Sequence, residues 1–103
     1  MISLISFKEI ALSLPGTAEE PHFEKTSFRV RKKIFATLDL KKHLLCVKFT
    51  EMEQSVFAYD PTVIYPVPNA WGKQGWTYID LKKVKKTVLK DALKAAYENV
   101  SKK

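Results

Sequence analysis

Hydrophobic and polar positions follow two different periods along this chain, and the switches between them mark its elements. Phe7, Ile10, Ala11 and Leu14 recur every three or four residues, as on one face of a helix. Ser6 and Glu9 have the spacing of a capping box, and Ile5 and Ile10 flank it as a hydrophobic staple would. Pro15-Gly16 stops that helix. Residues 17–25 are polar, lack a period and contain Pro21, so they predict a loop. The period then falls to two. Phe28 and Val30 alternate with Arg29 and Arg31 in a strand over Ser27 to Arg31. Ile34 to Leu38 follows a tight basic turn, and Leu44 to Phe49 follows a second turn around Lys41-Lys42, which reads as an antiparallel meander.

Thr50 and Glu53 repeat the capping-box spacing and predict a short helix from Glu51 to Ala58. Pro61, Pro66 and Pro68 bound a short edge strand at Thr62 to Tyr65 and then a loop that holds Gly72 and Gly75. Trp76 to Leu81 is the last strand. Leu89, Ala92, Leu93, Ala96 and Val100 form the apolar stripe of a final helix over Thr87 to Val100. The order is α-β-β-β-α-β-β-α. Short turns between strands imply antiparallel pairing, so the fold class is a two-layer α+β domain with the helices on one face of the sheet. Residues 1–103 are expected to form one such domain.

Alternation divides the sheet residues. If Phe28, Val30, Leu45, Val47, Phe49, Ile79 and Leu81 pack on the helices, the other face carries Arg29, Arg31, Cys46, Lys48, Trp76 and Tyr78. Cations neutralise phosphates and aromatic rings stack on bases, so that face is a candidate nucleic-acid platform. It can equally be roofed by the Pro-rich loop, with Trp71, Trp76 and Tyr78 making a minor core under lysine stems. A one-residue slip of register would exchange the two faces.

Charge sharpens the first alternative. The formal net charge is +7, concentrated between Lys25 and Lys48 and again from Lys82 to Lys94. Such a field attracts polyanions, although lysines also serve solubility. With 46% hydrophobic and 28% charged residues the chain is globular rather than disordered. No apolar run reaches the ~20 residues of a membrane span. Lys8 and Glu9 interrupt the apolar N-terminal stretch, which argues against a signal peptide. The single cysteine, Cys46, forms no internal disulfide, and the expected compartment is cytoplasmic.

Catalytic and metal chemistry find little support. His22 lies among Glu19, Glu20 and Glu24, but the chain has only two histidines, and the other, His43, falls in a lysine-flanked turn. Cys46 has no evident orienting group or oxyanion hole. No phosphate loop is present, and Gly72-Lys73-Gln74-Gly75 is at most a turn that exposes N–H groups to an anion. The expectation is no enzyme activity, no metal and no cofactor.

Leu14-Pro15-Gly16, Glu20-Pro21-His22-Phe23, Ser27-Phe28-Arg29-Val30, Lys33-Ile34-Phe35-Ala36, Leu45 to Lys48, Trp71-Gly72-Lys73-Gln74-Gly75-Trp76 and Ala96-Tyr97 occur in this order. The succession resembles the MmcQ/YjbR family over essentially the whole chain. The resemblance implies the two-layer fold of type III secretion chaperones. It also implies DNA binding, by analogy with the "double wing" sheet surface of a phage transcription factor, and analogy of fold does not establish function. The matching positions are His22, Phe23, Arg29, Lys33, Lys48, Trp71, Gly72, Lys73 and Trp76. The family often has glycine before the lysine at 33, where this chain has Lys32. The expected DNA contacts are Arg29, Arg31, Lys32, Lys33, Lys48 and Lys73 on phosphate, with Trp76 and Tyr78 on sugars or bases. The alternative is a protein-interaction or chaperone-like module acting as a dimer. The expected state is a monomer or weak dimer with DNA or a protein as partner and no membrane. A small anionic metabolite at Gly72 to Gly75 is a third reading.

Overall fold

In the computed structural model, which describes residues 2–22 and 25–101, the first helix begins about a turn earlier than the Ser6 capping box predicts. Helix α1 spans Leu4–Leu12, and Ser3 is its N-cap, its side chain accepting from the Ser6 N–H at 3.1 Å. The cause is tertiary. Ile2 is buried, and its N–H donates to the Leu81 carbonyl at 3.0 Å, so the residue before the cap is tied to the sheet. The staple positions are then Ile2 and Phe7, both buried, while Ile5 faces solvent.

The six strands are β1 (Ala18–His22), β2 (Lys25–Val30), β3 (Lys33–Asp39), β4 (Leu44–Lys48), β5 (Ile64–Pro66) and β6 (Trp76–Asp80). They form one sheet in the order β1-β2-β3-β4-β6-β5, with every neighbouring pair antiparallel. Helices α2 (Glu51–Phe57), α3 (Ala70–Lys73) and α4 (Lys86–Ser101) complete the fold. The α+β class and the meander agree with the sequence. The order differs by two additions, β1 and the one-turn α3.

Strand β1 replaces the expected loop. Its residues show no apolar alternation because it is an edge strand, fastened by pairing with β2 and by side chains. Ser27 Oγ donates to the Glu20 carbonyl at 2.9 Å, and Thr26 Oγ1 donates to Glu19 Oε2 at 3.1 Å. An edge tolerates Pro21, since a proline there need lose no ladder bond. The glutamates also discourage pairing with another sheet.

Helix α4 buries Leu89, Ala92, Leu93 and Ala96 against β2, β3 and β4. Phe28, Val30, Leu45, Val47, Phe49, Ile79 and Leu81 are all buried in that same core, so the expected strand phase holds. Phe7 meets Phe28 edge-on at 5.2 Å, and Phe35 meets Tyr97 edge-on at 5.6 Å. The register between β2 and β3 shifts at Phe28/Arg29, where Phe28 faces Ala36 but Arg29 faces Ile34. Phe35 is the extra residue of this bulge, which is why Phe35 and Ala36 are both buried although adjacent. The Tyr97 hydroxyl donates to the Pro15 carbonyl, joining the Leu-Pro-Gly corner to α4. The Thr50 capping box on α2 forms as expected, with bonds of 2.9 and 3.1 Å.

Candidate nucleic-acid interface

The face of the sheet turned away from α1 and α4 holds a groove of about 490 Å³. Its floor is Cys46 from β4 and Trp76 and Tyr78 from β6, placed there by alternation, with Ile34 and Thr37 from β3, which the bulge at Phe35 brings to the same face. The segment after β5 supplies a wall of Val67, Asn69 and Trp71, and Lys25 stands at one end. A small extension of about 40 Å³ continues past Lys25 and Thr37 to Lys42, Leu44 and Asp39. Val67 is buried, whereas Trp71 is 57% exposed. The loop therefore neither roofs the face nor leaves it bare: it makes one side of a cleft.

This wall is held rigidly. Asn69 caps α3 by accepting from the Trp71 N–H at 2.9 Å. Gln54 Nε2 reaches from α2 to the Gly72 carbonyl at 2.9 Å, Thr77 Oγ1 at 3.0 Å and the Trp76 carbonyl at 3.3 Å. A Cβ at Gly75, whose φ is +105°, would collide with the Phe49 carbonyl oxygen. That close approach allows the Phe49 N–H to donate to the Gly75 carbonyl at 3.0 Å. The N–H groups of Gly72, Gln74 and Gly75 all donate to carbonyls within the turn. The Gly72 to Gly75 segment is thus a packed turn, and those three N–H groups are not presented to an anion.

The cations expected on one face are dispersed. Arg29 does lie on the groove side, but its Nε donates to Ser27 Oγ at 3.0 Å and stands 3.8 Å from a Glu20 carboxylate oxygen of β1. Lys48 donates to the Gln74 carbonyl, with its ammonium 5.8 Å from the centre of the Trp76 ring. Arg31 is not on the sheet face. With Lys32 it forms the tip of the β2–β3 hairpin, at φ values of 52° and 68°, and two positive φ values are the mark of a type I′ turn. Lys33 pairs with Val30 and so shares the helix-side rim rather than the groove side. Lys73 is exposed on α3. His22 ends β1 opposite Lys25, and Phe23 lies outside the described residues. Sequence reasoning missed Lys25 because the expected strand began at Ser27, two residues inside β2, and missed Lys42 because it lies in the turn between β3 and β4.

Two groups on the floor have displaced titrations. Burial pushes the Cys46 thiol up to about 11, against a smaller opposing pull from Lys25. Burial also raises the Tyr78 hydroxyl, helped by the nearby Cys46 and Asp39. At neutral pH the floor accordingly presents a protonated thiol and a phenolic donor rather than a nucleophile. Among the described residues, no three His, Cys, Asp or Glu side chains converge as a metal site would require, and no helix is long and apolar enough to cross a membrane.

A family model described as YjbR matches residues 12–99. The crystal structure of the Deinococcus radiodurans protein DR2400, which carries the family-model domain DUF419, aligns with a TM-score of 0.86 at 22% identity. The alignment covers 100% of this chain and 81% of that one, and at such identity the likeness is one of fold. No curated protein matches the sequence significantly.

Proposed function

Since the chain belongs to the YjbR family, we propose that it binds nucleic acid across the sheet face opposite α1 and α4, holding the strand mainly through its phosphates. The observation that carries this reading is the groove itself. Trp71, Trp76 and Tyr78 line it, and Lys25 and Lys42 stand together at one end, in a chain of formal charge +7. Aromatic faces beside a cationic rim are the combination that sequence-tolerant binders use. Arg31, Lys32 and Lys33 at the hairpin tip, with Lys73 on α3, extend the positive field beyond the groove. Base reading in a duplex is not part of the proposal, because α4 carries lysines and no cluster of Arg, Asn or Gln. No catalytic residue and no cofactor enter it.

The test is a fluorescence-anisotropy titration of labelled DNA over a salt series. Engagement of about six phosphates gives a log–log slope near −5 on duplex and nearer −4 on single strands. Replacing Lys25 and Lys42 together by alanine should flatten the slope by roughly 1.5–2. Absence of binding at ~50 mM salt, where screening is weak, would refute the reading. So would a double variant with an unchanged slope, as far as this face is concerned.

One observation favours the alternative, a protein-interaction module. Met52, Val56 and Tyr59 stand exposed in a row along and just past α2. A second copy of the chain is the simplest partner for such a stripe. Light scattering at micromolar concentration separates the two: a dimer lost on Val56→Glu supports this alternative, and a monomer removes it.

A further inference from the structure

Resting on that nucleic-acid reading, we infer that the ligand is single-stranded, with an unpaired base seated in the groove between Trp71 and the Trp76–Tyr78 floor. The shape of the site carries the inference. Trp76, Tyr78 and Cys46 are half-buried at the bottom of a cleft rather than displayed on an open sheet. A base inside a duplex has both faces stacked and cannot enter such a cleft, whereas a base without a partner can turn in. The volume of about 490 Å³ falls within the range of small-molecule sites, roughly 300–1,000 Å³. Trp71 is more than half exposed, although tryptophan is on average a highly buried residue. Its Gln54- and Asn69-supported loop holds it in position ahead of any ligand. Lys25 at one end of the groove and Lys42 just beyond it stand where the strand would leave, and their charge complements the phosphates on that side of the seated base.

The chain supplies its own probe. It has only two tryptophans, Trp71 and Trp76, and both line this groove. Stacking should quench their fluorescence, and contact with phosphates elsewhere should not. Three DNA ligands of about 12 nucleotides, within the span that one binding module covers, decide the matter: a mixed single strand, the same backbone built from abasic units, and the duplex. The single strand is expected to bind roughly 5- to 150-fold tighter than the abasic backbone, the range of one stacked base, and to quench the tryptophans. Trp71→Ala should lower that preference severalfold and affect the abasic backbone less, and Trp71→Phe should restore much of the preference. Equal affinity for the single strand and its abasic copy, or tighter duplex binding without quenching, overturns the inference and leaves the phosphate-binding reading standing. If none of the three binds, that reading falls as well, and the inference with it.

Discussion

Lys32→Gly should make the protein more stable. Lys32 sits at φ 68° in the two-residue turn between β2 and β3. An L-residue in that left-handed region loses about 1–2 kcal/mol relative to glycine through contact of Cβ with the following carbonyl. Glycine gives back about 0.5–1 kcal/mol, because its unfolded chain is more disordered. The net expectation is a stabilisation of about 0.5–1 kcal/mol, or roughly 2–8 °C in Tm for a chain of this size. Urea unfolding followed by circular dichroism measures it. The substitution also removes one charge from the row Arg31-Lys32-Lys33, so Lys32→Ala is the necessary control. Alanine removes the same charge but keeps the Cβ, and it should change stability by no more than a few tenths of a kcal/mol. If glycine and alanine stabilise equally, repulsion rather than backbone conformation is the cause. If glycine destabilises, the type I′ assignment is wrong. The same pair bears on binding: should Lys32 touch a phosphate, both variants lose about 0.9 from the duplex salt slope.

Gln54→Ala should destabilise by about 1–2 kcal/mol in the same urea assay, since Gly72, Trp76 and Thr77 each keep another hydrogen-bond partner and avoid the full penalty of an orphaned group. Gln54→Glu, the same shape without the donor, should cost more than alanine at neutral pH; the opposite order would mean that the amide is not the latch. Cys46 gives a pH signature. Its thiol rises in the fold from 9.0 to about 11, so the folded state favours the protonated form. The stability this contributes is complete below pH 9 and is lost as pH climbs from 9 towards 11, by up to ~2–3 kcal/mol. Cys46→Ala lacks this loss, and urea midpoints of wild type and variant should diverge over that window; parallel curves would show that the thiol is not buried as described.

Elements that bury a face by themselves were legible in the sequence, and elements held by their neighbours were not. The alternation around Phe28, Leu45 and Ile79 and the stripe Leu89-Ala92-Leu93-Ala96 each report a surface that must leave water, so their phase could be read from polarity alone. Strand β1 has no such surface. Glu19, Glu20 and Pro21 are in a strand because β2 offers them partners, and pairing leaves no periodic mark on an edge. The start of α1 shifted for a related reason: both Ser3 and Ser6 can cap a helix, and the choice fell to Ile2, whose place in the core depends on a sheet formed later in the chain. The bulge at Phe35 breaks the period of β3, so that Phe35 and Ala36 are both buried where simple alternation would expose one of them.

The site was legible only as far as the strands that floor it. Cys46, Lys48, Trp76 and Tyr78 share a face as their alternation requires. Their charges did not combine as expected, because each has a history that a strand pattern omits. Glu20, whose carboxylate stands 3.8 Å from Arg29, comes from the unforeseen β1, and Lys48 bonds to the loop after α3. The platform and the minor core, set against each other in the sequence, turn out to share one construction. Val67 buries itself as a core residue would, and by doing so it raises Trp71 beside the floor as a platform would require. The latch from Gln54 and the close approach at Gly75 then hold that wall before any ligand arrives. A loop that had to be ordered on binding would lose affinity to that ordering. With the wall preformed, the affinity of a seated base depends chiefly on stacking against Trp71 and Trp76, which is why Trp71→Ala is expected to weaken the preference for bases more than the attraction for phosphates.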